Sequence, residues 1–197
     1  MMEKMAPPRM IPSTLTDDPA REDEARLIAR FHHDPAAFAE LYRRYVRRVY
    51  RYLYSHVGEV AEAEDLTAQV FTAAWESRQR YREQGAFAAW LFRIARHKIA
   101  DHFRRRRPQV SLEGDDPPLK VDWDPLGQLV HTESLQRLSR LVHCLQRKEI
   151  ELLRLRFAAE LTYAEMGAAL GQSEAASKMA VHRLLDRLQV EWERSDE

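Results

Sequence analysis

Glycine is scarce, 6 of 197 residues, against roughly 7 % in an ordinary globular chain. With abundant Ala, Leu, Glu and Arg, that scarcity excludes a turn-rich all-β fold and points to helices. There is a single cysteine, Cys144, so neither an internal disulfide nor a thiolate zinc site can form from this chain alone. No apolar run approaches the roughly 18 residues of a membrane span, and the first twenty residues lack the apolar stretch of a secretory signal. There is no excess of either charge, 31 basic against 31 acidic residues, which excludes a uniformly basic, histone-like protein and leaves any nucleic-acid surface as a local patch. The phosphate-binding G-x-x-x-x-G-K-[ST], the H-E-x-x-H zinc motif and the nucleophile elbow are also missing. The expectation is a soluble, intracellular helical protein with no catalytic residues, no metal site and no cofactor.

What is present is unevenly placed. Of the 31 basic residues 26 are Arg, a planar fork suited to phosphate and to stacking. Arg93 to Arg107 holds seven basic residues and one acid, whereas Glu113 to Asp124 holds five acids and one base. Pro117 and Pro118 punctuate the second stretch and Pro108 and Pro125 flank it, and the whole reads as a linker. The chain therefore divides into a partly disordered N-terminal tail, 1–33, a front domain, 34–107, a flexible acidic linker, 108–125, a rear domain, 126–192, and a short C-terminal tail, 193–197. The expected fold class is all-α: two small helical domains, a helix bundle and a helix-turn-helix, joined by the linker.

The front domain reads as three helices. Over about 35–56, Phe38, Leu41, Tyr42, Tyr45, Val49, Tyr52 and Leu53 form one apolar stripe, with Arg43, Arg44, Arg47, Arg48 and Arg51 on the remaining surface, solvated or facing phosphate. Over about 60–79, Leu66, Val70 and Ala73 point inward, while Glu62, Asp65, Gln69, Thr72 and Glu76 form a polar stripe. Such a stripe is either a wet helix face or a docking face. Over about 86–107, Phe87, Trp90, Leu91, Ile94, Ala95, Ile99 and Phe103 pack, and Arg93, Arg96, His97, Lys98 and Arg104 to Arg107 supply charge of one sign. Concentrated positive charge beside exposed aromatics suits a sugar–phosphate backbone and unpaired bases. His32-His33-Asp34 could ligate a metal but reads better as the capped start of a helix.

The rear domain opens with helices expected over 128–146 and 149–157. Leu161 to Leu188 carries more information. Thr162 followed by Glu165 is a capping box, Gly171 suits a left-handed stop, and Ser173 is a good cap for the next helix. Ser177, Val181, Leu184, Leu185 and Leu188 face inward and Lys178, Met179, His182 and Arg183 outward. Two helices joined by a tight glycine turn, the second basic outside, follow the helix-turn-helix plan. Glu174, Lys178 and His182 would lie at the major groove, with Arg183 and Arg187 near phosphates. Cys144 reads as a small core residue.

These segments together resemble the extracytoplasmic-function, or group 4, sigma factors of bacterial RNA polymerase. AFAELYRRYVRRVYRYLYSHVG followed by AEDLTAQVFTAAW is similar to family regions 2.1 and 2.2, FAAWLFRIARHKIADHFRRRR to regions 2.3 and 2.4, and LLRLRFAAELTYAEMGAALGQSEAASKMAVHRLLDRL to region 4. The resemblance implies a cytoplasmic bacterial protein. It implies a docking face for the β′ clamp helices of core polymerase at Glu62, Asp65, Leu66, Gln69 and Phe71, within the D-L-x-x-x-V-F pattern. It implies −10 element binding and strand capture by Arg93, Arg96, His97, Lys98, Arg104 and Arg105, and −35 reading by Ser173, Glu174, Lys178, His182 and Arg183. It further implies promoter DNA, the polymerase β flap and an anti-sigma factor as partners, and a linker threading near the RNA path.

The chain departs from the family at His97, where Asn is frequent, at Ser177 and Ala180, where Val and Arg are common, and at Leu145-Gln146, where Leu-Pro is usual. Ser177 is expected to weaken the packing of the reading helix. The alternative function is a stand-alone helix-turn-helix regulator, which would leave the front domain and its polar stripe without a role.

Overall fold

The computed structural model describes residues 19–82, 86–106 and 141–194, and the regular structure among them is entirely helical. The expected linker, 108–125, and most of the helix expected over 128–146 lie outside the described residues. None of the described helices is long and apolar enough to cross a membrane.

Helix α1, Pro19–Arg30, precedes the three front helices α2, Pro35–Val57, α3, Val60–Ser77, and α4, Phe87–Arg106. The start of α2 follows from local chemistry. Asp34 accepts from the Ala36 N–H at 2.8 Å, Pro35 sits where no donor is required, and Gly58 at φ +74° ends the helix in the left-handed region. The Arg30 guanidinium, and then the Ala36 N–H, hold the Asp34 carboxyl below its usual range. Leu41, Tyr45, Val49, Tyr52 and Leu53 of the α2 stripe are buried, facing Leu66, Val70 and Ala74 of α3 and Leu91, Phe92, Ala95 and Ile99 of α4.

Within the segment assigned to the N-terminal tail, 1–33, residues Pro19–Arg30 form α1, which packs on α2. Phe31 is fully buried in a ring of aromatics, 5.3 Å from Tyr81, 5.5 Å from Phe87 and 6.1 Å from Trp90 between centroids. Burial of one such side chain contributes roughly 1.5–3 kcal/mol. Asp23 pairs with Arg44, and the Tyr45 hydroxyl donates to Glu24 at 2.7 Å. The α1 sequence offers only Leu27 and Ile28 among charged residues, so its pattern reads as solvated; the anchor, Phe31, stands just beyond it.

The rear unit holds α5, Arg147–Leu153, a widened π turn over Arg154–Ala158, then α6, Tyr163–Leu170, and α7, Glu174–Arg194. The capping box is formed: the Glu165 N–H donates to Thr162 Oγ1 at 3.2 Å and the Thr162 N–H to Glu165 at 2.7 Å. Gly171 takes φ +73° and Ser173 Oγ accepts from the Ala176 N–H at 3.1 Å. Ser177 is fully buried but satisfied, accepting from Gln172 Nε2 at 2.9 Å; instead of loosening α7 it ties that helix to the turn. Gln146, standing where Pro is usual, donates its N–H to Glu149 at 2.9 Å, a bond that Pro could not make. Cys144 is exposed, which corrects its assignment to the core. It lies in the turn that separates the helical residues 141–143 from α5.

The two units meet along one side of α2 and the first half of α4. Leu155, Ala159, Leu161, Met166 and Val181 of the rear unit join the same buried cluster as the front helices. Around this apolar centre the contacts are polar. Arg48 donates to the Ala159 carbonyl at 2.8 Å and the Glu160 carbonyl at 3.0 Å, and Arg51 donates to the Phe157 carbonyl at 3.0 Å and pairs with the Glu160 carboxylate. Glu151 is held by the Tyr52 hydroxyl at 2.7 Å, His56 Nε2 at 3.1 Å and Arg96 Nε at 3.1 Å.

Two expectations follow from this packing. A Cβ on Gly167 would stand 2.7 Å from the Gln172 carbonyl oxygen, so Gly167→Ala forces the two helices of the helix-turn-helix apart. It should cost about 1–3 kcal/mol in urea unfolding, and an unchanged midpoint would mean that the turn has slack. The second concerns pH. Burial is the largest influence on His56 and holds its pKa below the usual 6.5, against the upward pull of Glu151. The neutral ring therefore belongs to the packed form, and its contribution is complete above pH 6.5 and declines as the pH falls below that value. Thermal unfolding between pH 7.5 and about 5 should show a falling melting temperature, with a shallower slope in His56→Gln; parallel slopes would exclude His56 as the source.

Candidate polymerase and nucleic-acid interfaces

Helix α3 presents its polar stripe to the outside. Asp65, Thr72 and Glu76 are exposed and Gln69 is half-buried, its amide donating to Asp65 at 2.7 Å. This bond pre-orients the carboxylate along the helix surface. Glu62, in the same row, is held instead by the C-terminal turn of α4, with His102 Nε2 at 3.3 Å and a second pairing to Arg106. Leu66 and Phe71 of the expected docking set are only 2 % and 6 % exposed. They shape the face from behind and are not surface contacts, because the 3.6-residue period that exposes Asp65 turns its neighbours inward. Tyr42 covers Phe71 at 4.6 Å between ring centroids and is itself the exposed aromatic there.

The basic residues of α4 separate into two groups. His97, Arg104 and Arg105 are exposed and Lys98 is half-buried. Arg104 donates to Asp101 at 2.7 Å. A cleft between α3 and α4 is lined by Asp65 and Gln69 on one side and Lys98, Asp101 and Arg105 on the other, so the polar stripe and the basic helix share an edge. Arg93 and Arg96 are turned toward the rear unit. Arg93 donates to the Ala168 carbonyl and Arg96 to the Ala169 carbonyl, each at 3.0 Å, at the C-terminal turn of α6. That turn carries unpaired carbonyls and the negative end of the helix dipole.

The aromatics of α4 do not lie beside its basic face as expected. Phe87 and Phe92 are buried, and Trp90 packs edge-on against Tyr81 at 5.0 Å. Helix amphipathicity explains this, since the aromatics are the packing stripe. The Arg face of α2 is likewise engaged within the molecule, with Arg44 on α1 and Arg48 and Arg51 on the rear unit. Nothing in the local pattern around those arginines points to their partners, which are more than a hundred residues away for Arg48 and Arg51.

On α7, Glu174, Lys178 and His182 recur every four residues on one exposed face, with Arg183 beside them and Ser173 capping the helix behind. The Tyr163 hydroxyl lies 3.5 Å from His182 Nε2 and braces that side chain from α6. Arg187 is paired with Glu149 at 2.7 Å and so is tied to α5 instead of being presented outward. The face carries two permanent cations and one histidine around a single carboxylate.

Comparison with known proteins places this arrangement. Residues 41–109 match the model of Sigma-70 region 2. The chain is 33 % identical over 176 residues to the ECF RNA polymerase sigma factor BldN of Streptomyces coelicolor, covering 86 % of this chain and 67 % of that protein. Among solved structures, CnrH in complex with the cytosolic domain of CnrY superposes with a TM-score of 0.58 at 22 % identity, covering 88 % of this chain and 96 % of that one. The sigma factor RpoE of Bartonella quintana, solved in complex with the anti-sigma factor NepR, gives 0.54 at 21 % identity, covering 79 % and 96 %. At those identities the structures speak for the helical fold, and the BldN likeness speaks for the family. The chain belongs to the ECF RNA polymerase sigma factors.

Proposed function

We propose that this chain is a promoter-specificity subunit that binds core RNA polymerase and directs initiation, catalysing nothing itself and working in the bacterial cytoplasm. Its outward α3 row, Glu62, Asp65 and Gln69, with Leu66 and Phe71 behind it, docks on the β′ clamp helices. Arg93, Arg96, His97, Lys98, Arg104 and Arg105 of α4 bind the −10 element and its melted strand. Ser173, Glu174, Lys178, His182 and Arg183 read the −35 element as duplex while the rear unit rests on the β flap. An anti-sigma factor is the proposed regulatory partner, as RpoE of Bartonella quintana has in NepR. The observation that carries this reading is the shared edge of an exposed acidic-amide row and a basic helix in one unit, with an exposed reading face in a second.

The energetics fit two weak readers made strong by a scaffold. Melting costs roughly 0.6–2.2 kcal/mol per base step, and capture of unstacked bases returns about 1–3 kcal/mol each. Core polymerase holding both units at one spacing makes the second DNA contact effectively intramolecular.

Asp65 is exposed and its charge can be reversed without disturbing the core. Asp65→Arg should keep its helical circular dichroism and weaken core binding at least tenfold, about 1.4 kcal/mol, in co-purification or fluorescence titration; undiminished binding would place the docking face elsewhere. Lys178→Ala with His182→Ala should reduce run-off transcription from −35-dependent promoters by about tenfold or more, given roughly 1–3 kcal/mol per base contact, and spare core binding. An equal loss at promoters without a −35 element would remove α7 as the reading helix.

A further inference from the structure

The rear unit offers Arg93 and Arg96 what a nucleic-acid backbone would offer them. Arg96 is gripped twice, Nε by the Glu151 carboxylate at 3.1 Å and Nη1 by the Ala169 carbonyl at 3.0 Å. Arg93 Nη2 reaches the Ala168 carbonyl at 3.0 Å. A carboxylate and the open carbonyls at a helix C-terminus are anionic or partly anionic oxygens, the acceptor chemistry of a phosphodiester. Guanidinium donors lie in a rigid fork, so an edge engaged by one oxygen is closed to another.

We infer that the packed arrangement is a self-blocked state, in which Glu151 and the C-terminal turn of α6 occupy Arg93 and Arg96 and so compete directly with single-stranded DNA for α4. This inference rests on the reading of α4 as a DNA-contacting helix. It commits the competitor to the chain's own rear unit.

Three further features suit a contact made to open. Outside its small apolar centre the seam is built from Arg48, Arg51, Tyr52, His56 and Arg96 against Glu151, Glu160, Glu165 and main-chain carbonyls, so its strength depends on charge and hydrogen bonds that water can replace. Glu160 is the only described residue other than glycine with positive φ, +55°, and this unfavourable backbone is held by the grip of Arg48 and Arg51 on its carbonyl and carboxylate. Glu151 also touches residues on two front helices at once, α2 through Tyr52 and His56 and α4 through Arg96. One side chain thus links the position of the rear unit to the availability of the DNA-binding helix.

The test uses the full free chain. Donor and acceptor dyes on the exposed native Cys144 and on Ala61→Cys report the separation of the units, and a fluorescein-labelled mixed-sequence 20-nucleotide single-stranded DNA reports binding. Glu151→Gln keeps the side-chain volume and removes the charge; Arg48→Ala breaks the same seam from the front unit and serves if the first variant loses its helical circular dichroism. Either should lower energy transfer and tighten oligonucleotide binding about five- to tenfold, the gain expected if the open form is a tenth or a fifth of the wild-type population. Lower transfer without tighter binding would overturn the competition, and unchanged transfer in both variants would overturn the latch. Adding Arg96→Ala to Glu151→Gln should abolish the gain. If the opened protein binds DNA equally well without Arg96, it is the reading of α4 that fails, while the change in transfer still reports the latch.

Discussion

Glu151 is a largely buried carboxylate between two helical units, and the arrangement of the whole molecule turns on how it is satisfied. Burial by itself would push its pKa up, but hydrogen bonds from His56 and Tyr52 and the positive charge of Arg96 outweigh that and hold it below the usual carboxylate value. A buried charge that loses a partner costs about 3–5 kcal/mol, so the ring of donors, all from α2 and α4 of the front unit, has to close on a carboxylate that the rear unit carries. The same burial pushes the Tyr52 phenol well above its ordinary range, which keeps it a proton donor to the carboxylate. Arg154, half-buried nearby, has its pKa lowered by desolvation against the attraction of Glu151.

This constraint links two modules whose own construction is independent. The front unit is an aromatic-lined bundle in which α2 supplies the stripe and Phe31 plugs one end. The rear unit is a capped helix-turn-helix whose crossing depends on Gly167 lying against the Gln172 carbonyl. Each leaves a polar face outward, and those faces carry the proposed work on polymerase and DNA. The seam between them engages arginines of α2 and α4 that a free front unit would present to solvent. There their guanidinium groups meet Glu151, Glu160, Glu165 and main-chain carbonyls of the rear unit.

Much of the local structure was legible because short-range chemistry decides it. Asp34-Pro35 and Gly58 bound α2, Thr162 with Glu165 opens α6, and Gly171 and Ser173 shape the turn, each through contacts within four residues. The apolar period of α2 named its buried face correctly at Leu41, Tyr45, Val49, Tyr52 and Leu53. The outward set Glu174, Lys178, His182 and Arg183 followed from the same geometry. Helix α1 was hidden because its one strong anchor, Phe31, lies outside the helix, and Cys144 was misread because the helix assumed around it breaks there.

Sequence alone therefore determined the helical class, the caps, the two-module plan and most of the packing stripes, with Tyr42 and Leu185 exposed against expectation, since these depend on periodicity and on neighbours along the chain. Only the tertiary structure decided which polar residues remain free. Arg48, Arg51, Arg93 and Arg96 look like His97 or Arg105 in any local window, yet they are bound to carbonyls and carboxylates far away in the chain. Leu66 and Phe71 belong to a surface motif in sequence and to the core in space. A hydrogen-bonding side chain takes its partner from whatever the fold brings within about 3 Å, and that proximity is a property of the packed whole.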